Sequence, residues 1–233
     1  VDFKVCEAPT ASPGKAAWRD IIPFTAGKII ERVGLFENWL VRQERADANT
    51  RIVVRNRAGQ EHAIAVDEPA YALGMQGSYE FATDTMRYSY NSMARPTETW
   101  DYDMASRERI LRKTQEIPSG HNPENYVVER LNARHEDGAM IPISILRRRD
   151  TPLNCSAPLL LYGYGSYGIP MSAGFNANRL SLVDRGFVYA IAHVRGGTEK
   201  GWRWYLDGKR EKKTNTFSDF VACADALIAG GFT

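Results

Sequence analysis

Residues 39–64 and 87–112 carry one pattern twice, at an offset of 48 (87 minus 39) with no gap. Trp39-Leu40-Val41-Arg42 aligns with Arg87-Tyr88-Ser89-Tyr90, Arg51-Ile52-Val53-Val54 with Thr99-Trp100-Asp101-Tyr102, and His62-Ala63-Ile64 with Ile110-Leu111-Arg112. Each run is short, rich in β-formers and bounded by turn residues, and none has helical periodicity, so the pattern predicts strands. A period of about 50 residues with several strands in each is what a β-propeller blade produces, because one small sheet cannot bury both faces until a neighbour stacks on it. Few residues are identical between the repeats. Two repeats fit a fragment of a β-sandwich as well as two blades.

The texture changes after Glu116-Ile117-Pro118-Ser119-Gly120-His121-Asn122-Pro123, whose composition suits a linker. The expected division is residues 1–120 and residues 121–233. Tyr126-Val127-Val128-Glu129-Arg130-Leu131 and the alternating Ile141, Ile143 and Ile145 flank Asp137-Gly138, a pair favoured in tight hairpin turns, and are expected as antiparallel edge strands. Leu159-Leu160-Leu161-Tyr162 and Phe187-Val188-Tyr189-Ala190-Ile191-Ala192 are near-continuous apolar runs of strand length, which suits strands covered on both faces. A helix is expected next. Phe217, Phe220, Val221, Ala224, Leu227 and Ile228 follow helical spacing, Thr216 with Asp219 reads as a capping-box start, and Gly230 ends it. Antiparallel entry strands, buried strands and a crossover helix make the opening part of an α/β sheet.

The first apolar run leads directly into Gly163-Tyr164-Gly165-Ser166-Tyr167-Gly168. Gly163 and Gly165 allow a sharp turn that keeps Tyr164 exposed at the C-terminal edge of the sheet, where ligands of open α/β sheets bind. The same residues also suit ordinary packing aromatics beside a structural turn. Arg195-Gly196-Gly197 follows the second buried strand and belongs at the same edge, where Arg195 either contacts substrate or pairs with a carboxylate to fix the loop. Trp202, Trp204 and Tyr205 are expected to pack the loop that reaches Asp207-Gly208, with sugar binding as the rival. Val1 to Val5 reads as the inside of a strand without an initiator Met, and Phe232-Thr233 leads away from the helix, so the chain is expected to be an internal piece.

Composition excludes several classes. A net charge of +2 with scattered cations does not imply nucleic acid, and Arg147-Arg148-Arg149 after an apolar strand reads as a solvated strand end. There is no run of about 18 apolar residues and no signal-peptide pattern, so no membrane partner is expected and the location is expected to be cytoplasmic. Three widely spaced cysteines, Cys6, Cys155 and Cys223, make a disulfide framework improbable. His62, His121, His135 and His193 have no metal-ligand spacing, and neither a dinucleotide nor a P-loop signature occurs; no metal and no cofactor is expected.

Four segments taken together, residues 159–168, 185–197, 204–209 and 215–220, resemble the prolyl oligopeptidase family of serine peptidases, most closely its oligopeptidase B (protease II) branch. The resemblance implies terminal blades of a β-propeller, about two of seven, over residues 1–120. It implies the N-terminal part of an α/β-hydrolase peptidase domain over residues 121–233. It makes Tyr164 the oxyanion-hole hydroxyl. Tyr167 stands where proline-specific members have a phenylalanine of the proline pocket, a departure that points to cleavage of short peptides after Arg or Lys; Tyr167 either lines the substrate cleft or simply packs. The Gly-x-Ser-x-Gly nucleophile turn and the rest of the Ser, Asp and His triad would follow Thr233, so this chain alone is expected to be inactive and to need the rest of its own chain to complete propeller and active site. On the same grounds His193 is a structural histidine and Ser166 is not the nucleophile. Two unpaired blades should leave apolar flanks exposed. The rival readings are a non-catalytic protein-binding module, and a fragment of a proline-specific or acylaminoacyl-releasing relative.

Overall fold

In the computed structural model, which describes residues 2–77 and 80–233, the repeat becomes two four-stranded antiparallel meanders. The first joins β3 (Lys28–Leu35), β4 (Trp39–Ala46), β5 (Asn49–Asn56) and β6 (Glu61–Ala63), and is preceded by a small ribbon of β1 (Val5–Glu7) and β2 (Arg19–Ile22). The second joins β7 (Tyr71–Met75), β8 (Thr85–Ser92), β9 (Glu98–Asp103) and β10 (Arg109–Thr114). The offset holds for the last three strands of each meander. It fails for the first strand, because residues 36–38 join β3 to β4 whereas residues 76–84 join β7 to β8. One apolar core takes Val41, Ile52 and Val54 from the first meander and Leu73, Met75, Met86, Tyr88 and Tyr102 from the second. Each sheet thus buries its facing side against its neighbour.

The strand expected over residues 1–5 begins only at Val5; Val1 lies outside the described residues, and Asp2 is buried at 3% exposure. Its carboxylate accepts hydrogen bonds from the backbone N–H of Gly27 and of Trp202, so the N-terminal segment is tied to both halves of the chain.

The second half is a mixed sheet in the order β11-β12-β14-β13. β11 (Tyr126–Arg134) and β12 (Met140–Arg148) form an antiparallel hairpin, β12 runs antiparallel to β14 (Val188–Ala192), and β13 (Leu159–Tyr162) runs parallel to β14. Side chains alternate across the sheet. Ile143, Ile145, Val188, Ala190 and Ala192 pack with Cys223 and Leu227 of α3 (Thr214–Ala229). Leu146, Tyr189 and Ile191 pack on the other face with Leu180 and Val183 of α1 (Ala177–Val183), and with Ala70, Met93 and Ala94 beside the second meander. Cover on both faces explains why the β14 sequence is apolar throughout.

Four expectations need correction. β12 is an inner strand, with only β11 at the antiparallel edge. β13 forms the other edge among the described residues, so Leu159, Leu160 and Leu161 are half-buried rather than covered. The crossover α1 has no strong apolar stripe and was not anticipated; Asn176 starts it by accepting the N–H of Asn178. The long helix begins at Thr214, two residues before the expected cap, so Thr216 and Asp219 lie inside it and face the core. Phe217, Val221 and Ile228, assigned to the buried stripe, are 64%, 58% and 55% exposed, because the polar groups of Thr216 and Asp219 find partners beneath the helix and set its rotation.

This rotation predicts opposite outcomes at neighbouring positions. Leu227→Ala removes a wholly buried side chain and should cost about 2–5 kcal/mol. Ile228→Ala should stay within about 0.5 kcal/mol. Urea denaturation of the 233-residue chain reads both.

Candidate active site

Tyr164 follows the C-terminal end of β13, is 40% exposed, and among the described residues its hydroxyl has no hydrogen-bond partner. What sets this phenol apart from its exposed neighbours Tyr162 and Tyr167 is the packing of the turn that follows it. Gly165 has φ +63°, and a Cβ there would collide with Thr216 Cγ2 and lie 2.7 Å from Val194 Cγ2 and 2.8 Å from the Arg195 carbonyl. Gly196, at φ +107°, approaches from the other side: a Cβ on it would strike the Gly165 carbonyl oxygen. Only glycine fits either place. The Gly168 N–H donates to the Gly196 carbonyl at 2.9 Å, and Thr198 Oγ1 donates to the Gly168 carbonyl at 3.0 Å. The turn after β13 and the loop after β14 are therefore locked backbone to backbone.

Arg195 fixes that loop. Its guanidinium is buried, with Nη2 2.6 Å from Asp219 Oδ1, Nε 2.9 Å from Asp219 Oδ2 and Nη1 2.5 Å from Asp137 Oδ2. The Asp219 carboxylate also accepts the Arg195 backbone N–H at 2.9 Å. Of the two uses weighed for Arg195, the carboxylate pairing is the one its side chain makes in this structure. Charge-assisted, bidentate contacts of this type are the strong ones, and burial makes each charge depend on the other. Asp219 was legible only as a helix cap, and Asp137 only as a turn residue. The available signal was a carboxylate at 219 in line with Cys223 and Leu227 on one helix face.

Tyr167 is 82% exposed at φ 56°, beyond Gly165 on the same turn. Ser166 Oγ accepts a hydrogen bond from Lys213 Nζ at 2.8 Å, and the Gly165 carbonyl accepts another from the same ammonium. Lys213 was missed in the sequence, where it ends a run of charged residues. Trp202 and Tyr205 lie in α2 (Trp202–Leu206) and contact edge to face at 5.0 Å; Trp204 is buried and its Nε1 donates to the His193 carbonyl. These rings pack the loop against α2 and the end of β14. Arg147, Arg148 and Arg149 lie at the end of β12 as expected, and pair with Glu129, Asp150 and the Glu124 carbonyl.

His193 is wholly buried. Its Nε2 is 2.7 Å from Ser144 Oγ, while Nδ1 lies 3.9 Å from Glu199 Oε1, too far for a hydrogen bond, and has no partner among the described residues. Burial holds its pKa below the ordinary 6.5, so it is neutral at neutral pH and, enclosed as it is, cannot meet a substrate. Among the described residues no group of three or more His, Cys, Asp or Glu side chains could hold a metal, and the cysteines are free.

Several pKa shifts shape the acid response: His62 is held down by burial, and Glu61, Asp101 and Asp207 are held low beside arginines and lysines, in company with His193 and Asp137. The folded protein holds the His193 pKa down, and the Asp137 carboxyl is held well below its ordinary 3.8 by the Ala139 N–H and then by Arg195. In both cases the unfolded chain binds the proton more readily, so stability is full above the unfolded pKa and is lost as pH falls. The unfolding midpoint should drop first below pH about 6.5, through His193 with His62, and again below about 4, through Asp137 with the other carboxylates held low. Asp137→Asn should reduce the second step and leave the first unchanged, as thermal denaturation against pH would reveal. Asp219→Ala, which leaves Arg195 buried with one exposed partner, should cost about 3–5 kcal/mol at pH 7.

Comparison with known proteins places this geometry. A model of the prolyl oligopeptidase N-terminal beta-propeller domain matches residues 1–115, and a model of the prolyl oligopeptidase family matches residues 173–233. Dipeptidyl aminopeptidase BI of Pseudoxanthomonas mexicana is 39% identical over 232 residues, which are 99% of this chain and 32% of that protein. Protease 2 of Moraxella lacunata is 30% identical over 92% of this chain and 31% of its own length. Oligopeptidase B from Leishmania major superposes with a TM-score of 0.90 at 32% identity, covering 99% of this chain and 33% of that one. Oligopeptidase B from Trypanosoma brucei with covalently bound antipain gives 0.87 at 36% identity, over 96% of this chain and 33% of that one. The chain spans about a third of the length of the curated relatives it matches. The stacked meanders are thus propeller blades rather than part of a sandwich, and the mixed sheet is the start of the hydrolase domain.

Proposed function

The chain belongs to the prolyl oligopeptidase family, and from that premise we propose that it is part of a serine oligopeptidase in which Tyr164 donates to the oxyanion. The observation that carries this reading is the unengaged Tyr164 hydroxyl, presented at the C-terminal end of a parallel strand by a turn that two glycines lock in place. Acyl transfer needs such a donor aimed at the charge that develops when a nucleophile adds to the carbonyl, and a donor that is already oriented costs no reorganisation when the charge appears.

In the reaction proposed, a serine attacks the scissile carbonyl of a short peptide. A histidine oriented by an aspartate takes the serine proton and returns it to the leaving amine. Tyr164 and a backbone N–H hold the oxyanion. None of the triad is assigned to a residue of this chain; the remainder of the protein supplies it, together with further blades and a strand for the open edge of β13. Residues 1–120 then form propeller and residues 121–233 peptidase domain, the protein acts in the cytoplasm, and the 233-residue chain alone is inactive. Tyr167, exposed beside Tyr164, lines the cleft, and cleavage after Arg or Lys follows from the absence of a phenylalanine there. Arg195 serves by holding the loop.

A second specificity has its own support, since the relative 39% identical over 232 residues is named a dipeptidyl aminopeptidase. An assay of the full-length gene product separates the two. Hydrolysis of N-terminally blocked peptides after Arg or Lys supports the endopeptidase reading, release of dipeptides only from free N-termini supports the other, and cleavage after Pro alone excludes both. In the active enzyme Tyr164→Phe should lower kcat about a hundredfold or more, with unchanged folding and little change in KM. An unchanged kcat removes Tyr164 from the mechanism.

A further inference from the structure

Lys213 occupies a position that works against its own stability. It immediately precedes α3, whose N-terminus carries the positive end of the helix dipole, and cations are unfavourable there. Burial pushes its pKa below the ordinary lysine value of 10.5. No carboxylate of the described residues lies within ion-pair distance of it; the ammonium meets the Gly165 carbonyl, Ser166 Oγ at 2.8 Å and Thr216 Oγ1 at 3.2 Å, with the Phe217 ring 5.8 Å away. A cation against a helix N-terminus, partly desolvated and without a counter-ion, is costly, and what it gains in return is two oxygens of one turn.

Those oxygens lie just beyond the group that matters. The Gly165 carbonyl belongs to the Gly165–Ser166 peptide, one peptide past Tyr164, so holding it fixes the path of the turn that carries the Tyr164 ring. Thr216 does not hold that carbonyl, because a threonine hydroxyl has one hydrogen and the Arg195 carbonyl, at 2.7 Å, lies nearer than Gly165 at 3.4 Å. Gly165 at φ +63°, Tyr167 at 56° and Gly168 at 70° put three of these residues in the left-handed region, a path held by the contacts to Gly196, Thr198 and Lys213. The Tyr164 side chain has no hydrogen bond of its own among the described residues to keep its place if the Lys213 contact is lost. We propose that Lys213 is a positioning residue for the oxyanion turn: by donating to the Gly165 carbonyl and the Ser166 hydroxyl it sets the direction in which Tyr164 leaves β13. This rests on the oxyanion role given to Tyr164 above.

The test uses the full-length enzyme with Lys213→Met, Tyr164→Phe and the double variant. A misplacement of about 1 Å at a catalytic group can cost a hundredfold. Lys213→Met should therefore lower kcat by about 10- to 100-fold with KM nearly constant, Lys213→Arg should restore part of the loss, and in the Tyr164→Phe background the same substitution should cost less than about threefold, because the group it positions is gone. An equal loss in both backgrounds means that Lys213 supports the fold generally and overturns the proposal. A crystal structure of Lys213→Met decides independently of activity: a Tyr164 hydroxyl displaced by about 1 Å or more supports positioning, and an unmoved one overturns it. If wild-type protein hydrolyses no peptide, the oligopeptidase reading falls while this structural arm still judges Lys213. If Lys213→Met does not fold, Lys213→Ala, which likewise keeps no donor, is judged by the same displacement.

Discussion

The pairing of Arg195 with Asp219 fixes the geometry in which three parts of the chain, already brought together by the apolar core, meet. Arg195 leaves the central strand β14, Asp219 sits one turn inside α3, and Asp137 comes from the hairpin between β11 and β12. A guanidinium and a carboxylate taken out of water must saturate each other, so their geometry is narrow. That narrowness sets the rotation of α3 and holds the loop against which Gly165 is pressed. The helix consequently exposes Phe217, Val221 and Ile228, which an apolar count alone would have buried. Ionic pairing overrode hydrophobic patterning at this one helix, and the proposed oxyanion turn inherits its position from that outcome.

What could be read from the sequence follows from which forces have a period. Strands announce themselves through β-branched and aromatic runs, and the blades through repetition, so β4 to β6 and β8 to β10 were legible at the correct offset. β3 and β7 were not, because the connection to the next strand differs between the repeats and the pattern slips. The turn bearing Tyr164 was visible because glycine is the residue that a tight backbone approach demands. Lys213 was invisible for the opposite reason. It closes the run Lys209-Arg210-Glu211-Lys212-Lys213, and such a run ordinarily reads as solvated surface; only the fold shows that its last member turns inward. The partners of Arg195 were similarly hidden, since two aspartates 24 and 58 residues away leave no spacing signature.

The two halves share the apolar core in which Ala70, Met93 and Ala94 meet Leu146, Tyr189 and Ile191, and single polar contacts add to it. The Ala48 N–H donates to the Glu199 carbonyl at 2.8 Å, Arg130 Nη2 to Asn49 Oδ1 at 2.6 Å, and the Phe175 N–H to Asn91 Oδ1 at 2.9 Å. Ala48 and Asn49 belong to the tight turn between β4 and β5, with Asp47 and Ala48 both in the left-handed region. A stiff blade turn thus abuts the loop that carries Arg195 and Glu199, so the sheet edge bearing Tyr164 is braced from the blade side as well as from α3.

The anchorage of Asp2 sets a timetable. Its carboxylate completes backbone groups at Gly27 and at Trp202, and the second lies 200 residues later in the chain. With synthesis at about 5–20 residues per second, residue 202 appears about 10–40 s after residue 2. For that interval the Asp2 carboxylate has one of its two partners and waits beside blades that can already stack. Of the polar contacts between the halves, the one from Trp202 to Asp2 is therefore the last whose partners are both synthesised.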